Sequence, residues 1–152
     1  MGINVSSPGV TDIGEGFIYI PLAMMPYTVV AGTWTTLFNA NYWQGNSLYN
    51  SSTAQNDEVT IQVYLAAGTY SANLLTYTAN DRGILTAKLD GSAWTTFDTY
   101  SAGPVNATTV SKTGLAVATS GLKTLSLSIP TKNGASSAYT ITSTALVLTR
   151  TA

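Results

Sequence analysis

At 152 residues the chain has the length of one domain, and folding at that size removes roughly 70% of the unfolded surface from water. It contains no cysteine and no histidine, which excludes a thiol nucleophile, a zinc knuckle or iron–sulfur centre and an imidazole general base. Charged residues are only 9% of the chain, the formal net charge is −1, and the basic residues are scattered from Arg82 to Arg150. That excludes the basic patch by which nucleic acid is held.

The chain opens on MGINVSSPGVTDIGEG, which is loop-like and rich in Gly, Pro and Ser. No basic residue precedes Arg82, so the charged n-region of a signal peptide is missing and export by the usual route is not expected. The apolar run at 16–30 is shorter than the about 20 residues of a membrane helix and is broken by Pro21 and Pro26. Residues 1–30 are therefore expected to form an extended N-terminal arm, and 31–152 the domain proper. The run at 17–30 is either the domain's first, interrupted strand or a segment that docks on a neighbouring subunit. In the second case Phe17, Ile18, Ile20, Leu22 and Met24 carry the contact, at about 25 cal/mol per Å² of apolar area buried.

From residue 59 onward the apolar period is 2, the period of strands. Val59, Ile61, Val63 and Leu65 share one face, and residues 67–69 turn the chain into a strand at 70–78. Asn80-Asp81-Arg82-Gly83 reads as the bend of a hairpin over 70–89, with Asp81 and Arg82 as an exposed ion pair. Asp90-Gly91 is a tight-turn dipeptide leading into a strand at 94–100, and Gly103-Pro104 breaks the chain. Weaker strands follow at 107–111 and 114–118. Leu125, Leu127 and Ile129 alternate with Ser126 and Ser128 up to Pro130, which is expected to stop that strand. The chain closes with a strand at 139–149. Many short strands without βαβ alternation predict an all-β antiparallel β-sandwich or jelly roll.

The carboxylates Asp12, Glu15, Asp57, Glu58, Asp81, Asp90 and Asp98 show no pair placed to flank a glycosidic bond. No catalytic residues and no enzyme activity are expected. No resident cofactor is expected either, although Asn56, Asp57 and Glu58 offer the hard oxygen donors that suit calcium. Trp34, Tyr42 and Trp43 are candidates for stacking on sugar rings, the last two in the amide-rich loop Asn41-Tyr42-Trp43-Gln44-Gly45-Asn46. Asn4, Asn50 and Asn106 open glycosylation sequons, which a chain so rich in Ser and Thr produces by chance. A neutral, hydroxyl-rich surface suits a protein that packs on other molecules, because interface cores are depleted in charge.

Residues 57–91, DEVTIQVYLAAGTYSANLLTYTANDRGILTAKLDG, with AWTTFDTYS and LKTLSLSIPTKNGASSAYTITSTALVLTR after them, resemble the jelly-roll modules of tailed-bacteriophage structural proteins. Those modules are related in pattern to carbohydrate-binding modules, and the likeness covers about residues 33–150. It implies a non-enzymatic virion protein, assembled in the host cytoplasm and trimeric. The form expected is a capsid decoration (cement) protein bound to the major capsid protein or other virion proteins. The alternative it implies is a glycan- or receptor-binding module of a tail fibre or baseplate, contacting a host glycan.

Overall fold

The alternation over 59–65 is realised as strand β7, Glu58–Leu65, in which Val59, Ile61, Val63 and Leu65 are at most 1% exposed while Gln62 and Tyr64 face solvent. The structure is a computed structural model describing residues 3–7, 10–13, 17–51 and 53–152, with backbone alone for the first two segments. Before β7 come β1 (Ile3–Ser7), β2 (Val10–Ile13), β3 (Phe17–Ile20), β4 (Thr28–Ala31), β5 (Thr35–Phe38) and β6 (Asn46–Asn50). After it come β8 (Gly68–Thr78), β9 (Gly83–Leu89), β10 (Ser92–Asp98), β11 (Val105–Val117), β12 (Gly121–Lys132) and β13 (Ile141–Arg150).

These strands make two antiparallel sheets. In the first, β13 is central: β8 and then β11 lie on one side of it. On its other side β6, with β5 beyond it, pairs with its first half, and β3, with β2 and then β1 beyond it, pairs with its second. The second sheet has the order β10-β9-β12-β7-β4. Between the sheets Ile20, Leu74 and Leu146 of the first meet Ile61, Phe97 and Leu127 of the second, all of them at most 1% exposed. The all-β sandwich expected from the period-2 pattern is what forms.

Several local expectations are corrected. The loop-like start contains a hairpin, with Ile3 opposite Ile13 and β2 in turn paired to β3. The arm does not stand apart from the domain, because β3 completes the ladder of β13 and Ile18, Ile20 and Leu22 are buried in the chain's own core. Those three side chains are already committed to this core and are not free for a neighbour. Phe17 and Met24 remain outside, 46% and 64% exposed. Pro21 and Pro26 fall between β3 and β4, where no ladder needs their missing N–H.

Pro130 does not stop its strand. β12 runs through it, and the register with β9 shifts between Ser128 and Thr131, a bulge that absorbs the lost donor. The two weak strands at 107–118 are one strand, β11, with two register shifts. The largest correction concerns 70–89. β8 pairs with β11 and β13 in the first sheet, and β9 with β10 and β12 in the second. Asn80-Asp81-Arg82-Gly83 therefore carries the chain from one sheet to the other. Asp90-Gly91, by contrast, is a true two-residue hairpin with Leu89 opposite Ser92 and φ of 49° and 81° at its two residues.

The crossover is clamped at Gly83. Its N–H donates to Thr140 O at 2.9 Å, and a Cβ there would fall 2.5 Å from Ile129 Cγ2 and 3.1 Å from Tyr139 O. Ile129 is fully buried and cannot retreat into solvent. Gly83→Ala is expected to cost about 1–3 kcal/mol through overpacking, read as a lower urea midpoint; an unchanged midpoint would contradict this close approach.

Candidate functional site: an aromatic face on the first sheet

In β8 the residues Tyr70, Ala72, Leu74, Thr76 and Thr78 point into the core. The alternation sends Tyr77 to the opposite, outer face. There the loop between β5 and β6 folds back across the sheet. Trp43 Nε1 donates to Thr108 O on β11 at 2.7 Å, and Thr144 Oγ1 on β13 donates to Trp43 O at 3.2 Å. Tyr19 on β3 donates its hydroxyl to Gln44 Oε1. Ala107 N donates to Asn41 O at 3.1 Å and Asn106 Nδ2 to Asn41 Oδ1 at 3.3 Å. The loop is thus tied to three strands of the sheet it covers.

This places Tyr42 edge-on to Tyr77, with ring centroids 5.8 Å apart at 74°. The guanidinium of Arg82 lies over the Tyr77 ring, 5.0 Å from its centroid, and donates to Asp81 Oδ1 at 2.7 Å. Such a cation over a ring contributes about 0.5–2 kcal/mol depending on desolvation. The Arg82 side chain is only 9% exposed, and its Nε is buried without a hydrogen-bond partner. The expected exposed ion pair is therefore a largely buried cation locked under an aromatic cluster. Burial raises the Tyr42 phenol above its ordinary range; Arg82 opposes that shift, and Tyr49 and Tyr77 add to it. Gln44 and Ala107, both flanking this face, hold positive φ (53° and 43°). Strain at non-glycine residues of this kind gathers at ligand sites.

Tyrosine faces, amides (Asn41, Gln44, Asn106) and one guanidinium offer apolar surface beside neutral donors and acceptors. That combination suits a polyhydroxylated ligand. Of the residues singled out in the sequence, Tyr42 and Trp43 come together here. Trp34 does not: it is 7% exposed in the core and donates its indole N–H to Ala31 O at 3.0 Å, so it offers no stacking face. Tyr77 and Arg82 went unrecognised. Tyr77's place on the outward side of the β8 alternation was the available signal.

The described carboxylates are dispersed among separate partners. Asp81 holds Arg82, and Asp98 accepts from Asn133 Nδ2 and Tyr100 N. Asp57 accepts from Asn50 Nδ2 at 2.8 Å, and Glu58 accepts from Ser126 Oγ. The last two bear on calcium. Glu58 faces outward, opposite in the alternation to buried Val59, whereas Asp57 is buried against Gly32. Their carboxylates diverge, and no group of three or more acidic side chains gathers among the described residues. The carboxylates of Asp57 and Glu58 are thus engaged by separate partners, whereas a calcium ion gathers 6–8 oxygen ligands. The sequon at Asn50 is likewise closed, because its amide is fully buried and donates to Asp57 and to Thr33 O. Asn4 lies where side chains are not described.

No protein-family model and no curated protein sequence matches the chain. Solved structures do. A Paenibacillus xanthan lyase superposes with a TM-score of 0.66 at 20% identity over 86% of this chain, which spans only 13% of the lyase. The CBM36-1 domain of a multidomain xylanase from the hindgut metagenome of Trinervitermes trinervoides gives 0.62 at 16% identity, covering 90% of this chain and 98% of that one. A carbohydrate-binding module CBM36 in complex with calcium and xylotriose gives 0.54 at 15%, covering 85% and 96%. The fold is a jelly-roll β-sandwich similar to those of carbohydrate-binding modules. Two of these matches are binding domains of nearly the same extent as this chain.

Proposed function

We propose that the chain is a non-catalytic glycan-binding module whose ligand lies on the outer face of the first sheet. The observation that carries this reading is the Tyr42–Tyr77–Arg82 cluster, held open by a loop that three strands tie down. A pyranose ring would set its C–H face on a tyrosine, while Asn41, Gln44 and Asn106 take its hydroxyls. The carbohydrate-binding modules of the same fold support the reading, and xylotriose, the ligand in one of them, is the first probe. Affinity electrophoresis through gels containing xylan, xanthan, mannan or galactan tests it. Retardation by at least one is expected, and free migration in all four would remove the proposal. Because no group of three or more acidic side chains gathers among the described residues, a chelator is expected to leave the retardation unchanged; its loss in EDTA would show that a metal is required.

A second reading, docking on a protein neighbour as in a virion coat, is favoured by a different observation. No charged residue occurs between Glu15 and Asp57. That stretch supplies β4 and β5, the outermost strands of their sheets, with Val29, Val30 and Phe38 at 44%, 59% and 77% exposure. Edge strands are ordinarily blunted by charge, and these are not. Sedimentation velocity across a concentration series tests this reading for self-association, trimer included. A single monomeric species throughout would leave only a heterologous partner for this flank.

A further inference from the structure

A second cleft lies at the far end of the molecule, where the edge strands β10 and β11 of the two sheets meet. It is reached from Tyr77 by travelling eight residues along β8 to Thr69, which pairs with Ala116; that is about 26 Å at about 3.3 Å per residue. Its volume is about 280 Å³, at the small end for ligand pockets and suited to a single sugar ring. Trp94 forms one wall. It is the extra residue of a bulge, since the register between β10 and β9 shifts between Ala93 and Thr95. A bulge re-aims a side chain out of the regular alternation. Here the indole crosses to the other sheet and donates to Ala116 O at 3.1 Å.

A fixed polar rim lines the same cleft. Asp90, in the two-residue turn, accepts from Thr124 N at 2.9 Å and sits 3.4 Å from Lys123 Nζ. Lys123 in turn donates to Thr119 Oγ1 at 3.0 Å. The Thr124 N–H holds the Asp90 carboxyl below the usual carboxylate range, desolvation opposing it and Lys123 assisting. Asp90 is therefore held as the carboxylate at neutral pH. A carboxylate and an ammonium side by side accept from one hydroxyl and donate to the next. Their charges cancel, which favours a neutral sugar over a uronate.

We propose that the cleft between Trp94 and the Asp90–Lys123 pair binds a single neutral pyranose, its apolar face on the indole and a vicinal diol on the ion pair. The cleft shares no residue with the aromatic face, so the two sites stand or fall separately. With both occupied, one copy of the domain links two glycan chains.

The test is a 1H–15N NMR titration with the methyl glycosides of glucose, galactose, mannose and xylose up to about 100 mM, a range suited to millimolar affinities. Trp94→Phe assigns the indole signal. At least one glycoside is expected to shift the Trp94 indole and the Thr119 and Thr124 amides saturably, while the Trp43 indole does not follow the same curve. Asp90→Asn keeps a residue favoured at this turn and is expected to weaken that binding about tenfold, since charge-assisted hydrogen bonds are roughly twice as strong as neutral ones. A Trp94 signal unmoved by all four glycosides would overturn the proposal. So would a shift undiminished in Asp90→Asn.

Discussion

Tyr77→Ala is expected to abolish retention on whichever polysaccharide retards the native protein, with a loss of at least about 30-fold in affinity. Tyr77 is the middle member of the cluster: Tyr42 abuts its ring at 5.8 Å and Arg82 covers it at 5.0 Å. Removing the ring takes away a stacking surface, releases Tyr42 and leaves the buried guanidinium with Asp81 alone. Truncation of a central aromatic of this kind costs about 2 kcal/mol or more, which is the 30-fold stated. Tyr77→Phe separates the ring from its hydroxyl and is expected to keep most of the affinity. The alanine variant should remain folded, because Tyr77 points away from the core that Thr76 and Thr78 face. Unaltered retention in Tyr77→Ala would move the binding surface elsewhere.

Phe97→Ala is expected to have the largest effect on stability. Phe97 is fully buried on β10, an edge strand, and is among the largest side chains in the core. Replacing a buried phenylalanine with alanine costs about 3–5 kcal/mol, against a total of about 5–15 kcal/mol for a typical domain. At about 2–4 °C per kcal/mol for this size, Tm should fall by about 10 °C in a thermal melt. A fall of a degree or two would mean that β10 is not packed as described. The same strand carries Trp94, so the melt also measures how firmly the second cleft is built.

The parts of the fold that were legible are those in which one strand's own pattern carries the information. Val59 to Leu65 alternates cleanly because one side of β7 is core and the other is solvent. Asp90-Gly91 was legible because two adjacent residues with positive φ are what a two-residue hairpin requires. The pairing partners were not legible. Two strands and a polar turn look the same whether they pair with each other or enter different sheets, and 70–89 is the second case. What decides it is non-local: β13, more than sixty residues further on, occupies the edge of β8 that a hairpin partner would need. Phe17–Ile20 stayed open between a first strand and a docking segment for a related reason, and the strand is what forms. Its proline-bounded run resembles a free arm until β13 supplies the ladder that holds it.

The site was half legible. The loop holding Tyr42 and Trp43 stood out for its mix of aromatics and amides, and it is the loop that covers the sheet. Trp34 shows the limit of composition as a guide, since an indole in a β-protein serves the core as readily as a surface. Tyr77 and Arg82 were assigned to a hairpin and its corner. They become a site only when the 41–46 loop, itself stitched to β11 and β13, is laid over them.

The most direct test of the central claim is a crystal structure of the protein with an oligosaccharide of the polysaccharide that retards it best, xylotriose being the first choice. A pyranose ring packed on Tyr42 or Tyr77, with hydroxyls hydrogen-bonded to Asn41, Gln44 or Asn106, is the predicted result. A sugar seated only in the Trp94 cleft, or on the outer face of the second sheet, would contradict it.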